Sequence, residues 1–212
     1  MHNPSKIAPC KVSKLSMKYL ATDMHVIIDG LLFSEIVMYV ESKRHANKSS
    51  ANICTEEVKR LSQEQRCIIQ KTFKYLYNDP QKNGQKIFVL LLGDFPEYKQ
   101  IWPQFRGIPD SSVITADVVK KHGLVYLAGL KAIIDSMPNE EKLVKMINRI
   151  TTAHLKWNIY KSHIMNMLKE VIVILQSYPH CQGKHVEEAW FTLFDVIGNL
   201  VDKFSKQRIS KY

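Results

Sequence analysis

Apolar residues recur at intervals of three and four in one segment after another beyond residue 59, and alternation of apolar and polar residues does not persist there. Intervals of three and four place apolar side chains on one face of an α-helix, whereas a half-buried strand requires a period of two. The sequence therefore predicts an all-α main domain whose helices each bury an apolar face.

The chain has 212 residues, and we assign residues 59–207 to the main domain and residues 1–58 to an N-terminal extension. Within the extension, residues 24–40 form the most apolar run, but Asp29 and Glu35 interrupt it. A membrane-spanning helix needs about 20 residues with few or no charges. We therefore predict an amphipathic helix over about residues 20–42, no transmembrane segment, and a polar linker after it.

The formal net charge is +10, which could suit nucleic acid or an acidic partner. The lysines are scattered singly and form no basic stripe with interleaved aromatic residues, so no nucleic-acid partner is expected. The four cysteines form no CxxC pair, and no apolar signal peptide opens the chain. These features favour a reducing, cytoplasmic setting.

Polar residues at the starts of apolar segments predict where helices begin. Ser62, with Gln65 three residues later, has the sequence pattern of a capping box. Thr115 is a candidate N-cap for a helix that runs to about Ser136. The next helix is predicted from Glu140 to about Trp157. These last two helices carry the residues that bear most on function.

Each of these two helices has one histidine on its apolar face, His122 on the first and His154 on the second. A buried imidazole needs a partner for each ring nitrogen, and the lack of one costs about 1–3 kcal/mol. A hydrogen-bonded position in the core would meet this need. An iron porphyrin would also meet it, since it offers a metal and a large apolar disc.

Two other kinds of site agree less well with this pattern. Zinc requires three or four convergent His, Cys or carboxylate ligands at characteristic spacings, and no such cluster accompanies either histidine in the sequence. Nucleophilic catalysis by cysteine needs a base beside the thiol, and nothing in the sequence ties a cysteine to one. We therefore predict no dedicated catalytic residues.

An ordered series of motifs resembles the globin family over about residues 61–206. LSQEQRCIIQKTF resembles the opening helix, and DFPEYKQIWPQF resembles the junction of the second and third helices with the corner after it. KKHG resembles the distal histidine motif, and AHLKWNIYKSH resembles the proximal histidine with the turn that follows. The resemblance implies a three-over-three helical sandwich that binds haem b, and it is closest to nematode-type invertebrate globins with N-terminal extensions.

The resemblance assigns His154 as the proximal iron ligand and places His122 on the distal, ligand-binding side of the haem. It also implies that eight further residues line the cofactor: Phe88, Trp102, Phe105, Val125, Tyr126, Ile150, Ile159 and His163. Globins cross their second helix closely against the distal helix, and Gly84 and Gly123 fall at that crossing. Tyr126 departs from the family pattern, in which a small branched residue is usual. We expect a tight distal pocket.

Three functions are compatible with the resemblance. The first is the binding of oxygen or another diatomic gas at the haem iron, for transport, storage or sensing. The second is redox work with both histidines on the iron, such as electron transfer or reduction of nitrite or superoxide, supplied by a reductase. The third is a haem-based signalling module in which residues 1–58 relay the haem state to a partner. The sequence leaves a homodimer open.

Overall fold

The computed structural model describes residues 47–209, with side chains from residue 51 to residue 207. Every regular element in that range is helical, which confirms the all-α prediction. The α-helices are α1 Asn47–Val58, α2 Gln63–Leu76, α3 Pro80–Asp94, α4 Asp117–Ser136, α5 Glu140–Leu155, α6 Lys161–Gln176 and α7 Lys184–Ile209. Short 3-10 helices occupy Pro96–Gln100, Pro103–Phe105, Asp110–Ser112 and Pro179–Cys181. None of the helices in this range is long and apolar enough to cross a bilayer.

The starts of α2 and α4 show where capping patterns succeed and fail. The Ser62 Oγ accepts the Gln65 N–H at 3.2 Å, and the Gln65 Oε1 accepts the Ser62 N–H at 3.0 Å. The predicted capping box is therefore confirmed. The prediction that Thr115 caps α4 is wrong: its hydroxyl donates to the Ser112 carbonyl at 3.2 Å, and Ala116 occupies the N-cap position. A single-turn helix just before α4 supplies the competing carbonyl.

Two layers of three helices enclose the core. One layer contains α2, α4 and α5, and the other contains α3, α6 and α7. α3 packs against α4 and α6, while α7 packs against α2, α5 and α6. Trp190 of α7 is fully buried between the layers, and its indole N–H donates to the Thr72 Oγ1 at 2.9 Å. The predicted three-over-three sandwich is confirmed.

α1 belongs to the same compact body as the other described helices. It packs against α5 and α7, and its Cys54 and Val58 are fully buried. The Cys54 Sγ donates to the Asn148 Oδ1 of α5 at 3.7 Å. α1 lies within the predicted extension, and the division at residue 58 stays a prediction. The predicted amphipathic helix over residues 20–42 lies outside the described residues.

Charged side chains attach the end of α1 to α7. Glu57 accepts hydrogen bonds from Lys203, from Arg60 at 2.8 Å and from Asn199 at 3.3 Å. Arg60 also donates to Asp195 at 2.6 Å. Burial alone would raise the pKa of Glu57, but these hydrogen bonds outweigh it and hold the pKa below its usual value. We refer to these five residues as the α1 latch.

Candidate functional site

His154 lies near the C-terminal end of α5. Its Nδ1 is 2.7 Å from the carbonyl oxygen of Ile150, one turn earlier. Because a carbonyl can only accept, Nδ1 carries the proton and Nε2 keeps its lone pair. Burial lowers the pKa of His154, with the Ile150 carbonyl opposing the shift, so the ring is neutral at pH 7. A neutral imidazole oriented by a carbonyl is the usual metal-ligating form of histidine.

His122 lies on α4 among aromatic side chains. Its ring centroid is 4.9 Å from that of Phe88, 5.2 Å from that of Trp102 and 5.2 Å from that of Phe105. Burial lowers the pKa of His122 to about 4, and repulsion from the protonated form of His154 adds to the shift. The two histidines are therefore close enough to influence each other. Within the described part of the chain, the His122 ring has these ring contacts but no hydrogen bond.

Two glycines bring these groups together. A Cβ on Gly84 of α3 would lie 2.4 Å from the carbonyl oxygen of Gly123 of α4, and a Cβ on Gly123 would lie 2.3 Å from the Gly84 carbonyl carbon. Only glycine permits so close an approach, which confirms the predicted crossing. Phe88 follows Gly84 by one turn and His122 immediately precedes Gly123, so the crossing places the phenyl ring against the imidazole.

Phe88 is the centre of an aromatic group that also contains Trp102, Phe105, His122 and Tyr126. Its ring meets those of His122, Trp102, Phe105 and Tyr126 edge to face, with centroid separations of 4.9, 5.6, 6.1 and 5.8 Å. Phe88 and Phe105 are buried, whereas Trp102 and Tyr126 are half-buried. The structure thus assembles these five residues, which the resemblance assigns to the haem, from three separate parts of the chain.

Three further predicted residues lie beside the histidines in the chain. Ile150 is half-buried and supplies the carbonyl that orients His154. Ile159 is buried, and its N–H donates to the His154 carbonyl oxygen at 3.4 Å. Val125 is half-buried on α4, next to Tyr126. Their contacts with a cofactor stay predictions, but Ile150 and Ile159 both have backbone contacts with His154.

His163 belongs to a second aromatic group, at the start of α6. Its ring lies 4.7 Å from that of Tyr98, and its Nδ1 accepts a backbone N–H at 3.1 Å. Tyr98 is buried, stacks on Phe95 at 5.0 Å and accepts a hydrogen bond from Asn166 at 2.8 Å. Sequence reasoning missed Tyr98, although its spacing of three from Phe95 was a weak signal. The described contacts do not join this group to His122, and the haem role of His163 stays a prediction.

These residues fit a haem group. A neutral imidazole is one of the side chains that can ligate haem iron, and the porphyrin needs apolar walls; the His154 Nε2 and the aromatic group supply these two features. The Tyr126 hydroxyl is buried and has no hydrogen-bond partner among the described residues, so it is available to a group from outside the chain. In the same range, no three His, Cys, Asp or Glu side chains converge on one point. The donor set suits a metal held in an organic macrocycle.

Comparisons with known proteins identify the family of this chain. The globin family model matches residues 85–200. Cytoglobin-1 of Danio rerio is 24% identical over 147 residues, which cover 68% of this chain and 84% of that protein. Cytoglobin-1 of Oryzias latipes is 25% identical over 145 residues, with 67% and 82% covered. The structure of ferric Aplysia limacina myoglobin is similar, with a TM-score of 0.62 and 16% identity over 68% of this chain and 98% of that one.

The family match extends from within α3 to α7 and includes both histidines. The likeness to Aplysia limacina myoglobin supports the fold alone, because the identity is low. The nematode-type subgroup stays a prediction, since these matches do not test it. Because the match covers more than half of the 212 residues, the chain belongs to the globin family.

Proposed function

We propose that the chain binds haem b and takes up oxygen or another diatomic gas, with His154 as the proximal iron ligand and His122 on the distal side. The observation that carries this proposal is the 2.7 Å contact between the His154 Nδ1 and the Ile150 carbonyl. This contact leaves Nε2 as the nitrogen with a lone pair. When bound, haem supplies the iron at which a diatomic gas coordinates. The globin family match supports the proposal.

The chain's own residues would hold the cofactor, limit the access of water and orient the gas. Phe88, Trp102 and Phe105 surround the His122 ring with apolar surface, which excludes water from that side. The pKa of His122 is about 4, so its imidazole is neutral at pH 7. A neutral imidazole has one N–H donor, which can hydrogen-bond a polar gas molecule.

A redox function, in which both histidines ligate the iron, is a second candidate. The observation that favours it is the His122 ring, which has no hydrogen bond within the described residues and is near enough to His154 for the two rings to affect each other's pKa. A neutral imidazole without a partner has a lone pair available for iron. The protein would then serve electron transfer, or reduction of nitrite or superoxide, with a reductase as its partner.

The visible absorption spectrum after reconstitution with haemin tests both candidates. We expect a Soret band in the wild type and a loss of haem affinity of at least about tenfold in His154→Ala, since the chain would lose its iron ligand. His185→Ala is the matched control, because His185 is exposed and far along the chain on α7. A wild-type protein without a Soret band, or a His154→Ala variant with unchanged affinity, would overturn the haem proposal.

The reduced protein without added ligand separates the two candidates. A broad five-coordinate band that His122→Ala leaves unchanged would support gas binding at an open iron position. Sharp, split low-spin bands that become broad in His122→Ala would support ligation by both histidines. Gas binding would still be measured in the second case, because a gas can compete with His122 for the iron.

A signalling role is a third candidate, favoured by the position of α1. This helix lies within the predicted extension and contacts α5, the helix that carries His154, through Cys54 and Asn148. A partner that displaced α1 would therefore act directly on the proximal helix. We expect Asn148→Ala to change the rate of carbon monoxide rebinding after photolysis, and Asn52→Ala, at an exposed position of α1, to leave it unchanged. Identical rates in both variants would count against this role.

A further inference from the structure

The hydroxyl of Tyr126 is an unusual feature of the described core. It is fully buried, and no protein group among the described residues forms a hydrogen bond with it. Most buried side-chain polar atoms in proteins have a partner, and each exception requires an explanation. A phenylalanine would fill the same space without this cost, so packing alone does not explain the hydroxyl.

The location of Tyr126 indicates where a partner would come from. Tyr126 follows His122 by four residues on α4, so the two side chains lie on the same face of that helix. Both rings meet Phe88 edge to face, at 5.8 Å for Tyr126 and 4.9 Å for His122. Tyr126 therefore belongs to the same group of side chains as the distal histidine. A molecule that enters beside His122 would come within reach of the same group.

The phenol is suited to donate. Burial raises the pKa of Tyr126, so the hydroxyl keeps its proton at every pH at which the protein would work. Its neighbour Phe88 has no oxygen or nitrogen atom in its side chain that could accept the hydrogen bond. An incoming molecule that accepts a hydrogen bond would satisfy the hydroxyl, whereas an apolar molecule would leave it without a partner.

We infer that Tyr126 determines ligand specificity in this pocket, by donating a hydrogen bond to a diatomic gas that can accept one and thereby favouring oxygen over carbon monoxide. Oxygen held beside His122 would accept a hydrogen bond from the Tyr126 hydroxyl, whereas carbon monoxide would be a much poorer acceptor. The inference rests on the proposed function, because it concerns the choice of ligand at that same site.

Tyr126→Phe tests the inference, because it removes the hydroxyl and keeps the ring that contacts Phe88. Tyr77→Phe is the matched control, since Tyr77 is half-buried at the end of α2 and packs against Phe73. We expect oxygen to dissociate at least about tenfold faster from Tyr126→Phe, which corresponds to the loss of one hydrogen bond. The carbon monoxide affinity should change far less, and the carbon monoxide stretching frequency should rise. Unchanged oxygen dissociation would overturn the inference.

The haem-free protein provides a second readout that does not depend on gas binding. If the hydroxyl has no partner within the protein, Tyr126→Phe should raise the urea midpoint of the haem-free protein or leave it unchanged. A lower midpoint would show that the hydroxyl bonds to the protein, and this would contradict the inference. A wild-type protein that binds haem and both gases, with a Tyr126→Phe variant identical to it, would refute the inference alone. A wild type that takes up no haem would refute the proposed function as well.

Discussion

Replacement of Gly84 by alanine is expected to destabilise the protein by about 2 kcal/mol. The added methyl group would lie 2.4 Å from the carbonyl oxygen and 2.5 Å from the carbonyl carbon of Gly123. Ordinary contacts of a methyl carbon begin at about 3.5 Å, so α3 and α4 must move apart by about 1 Å. Over-packing costs about 1–3 kcal/mol, and we take about 3 because the obstructing atoms are backbone. The better helix propensity of alanine returns about 1 kcal/mol.

Gly93→Ala is the matched control, because Gly93 lies on the same helix and a Cβ there would meet nothing within 4 Å. It should gain about 0.5–1 kcal/mol from helix propensity alone. Urea unfolding of the haem-free proteins, followed by circular dichroism, would measure both free energies of unfolding. Gly84→Ala should also bind haem more weakly, because separated helices withdraw Phe88 from His122. Equal free energies of unfolding for Gly84→Ala and Gly93→Ala would refute the reasoning.

Two further predictions concern stability. Glu57→Gln should cost about 1–2 kcal/mol at pH 7, because the α1 latch loses its buried carboxylate while its more exposed cations can return to water. Since the pKa of Glu57 is lowered in the folded protein, its contribution is complete above its unfolded pKa and is lost as the pH falls through the folded pKa. In urea melts the difference from the wild type should therefore shrink as the pH falls below about 4, and a difference that grew as the pH fell would contradict this. Glu56→Gln is an exposed control and should show little effect. Thr72→Val should cost about 1–3 kcal/mol, because it removes the acceptor of the Trp190 indole N–H. Thr72→Ser keeps the hydroxyl, so thermal melts in which both variants behaved alike would be evidence against this role.

The local sequence pattern was sufficient to predict several features of this protein. The capping box of Ser62 depends on residues three apart, so it could be predicted without knowledge of the fold. The helical faces that carry His122 and His154 also follow from spacing along each helix. The crossing at Gly84 and Gly123 could be predicted only with the globin resemblance, because it pairs residues from two separate helices.

Other features depend on distances that spacing along the chain does not determine. Thr115 had a suitable side chain for a cap, but the nearby Ser112 carbonyl competes for its hydroxyl. The contact of the His163 ring with Tyr98 likewise joins two separate parts of the chain, and the haem role of His163 stays a prediction. In each case a neighbour that sequence reasoning did not consider decides the contact.

The sequence by itself determined the helical class, the main helix boundaries and the placement of His122 and His154 on apolar helical faces. These features depend on local propensity and periodicity. Only the tertiary structure showed that α1 packs on the helix of His154, through Cys54 and Asn148. It alone showed that the Tyr126 hydroxyl is buried without a partner among the described residues. Packing and hydrogen bonding between distant segments depend on the relative positions of the helices. The order of residues within a single helix does not specify those positions.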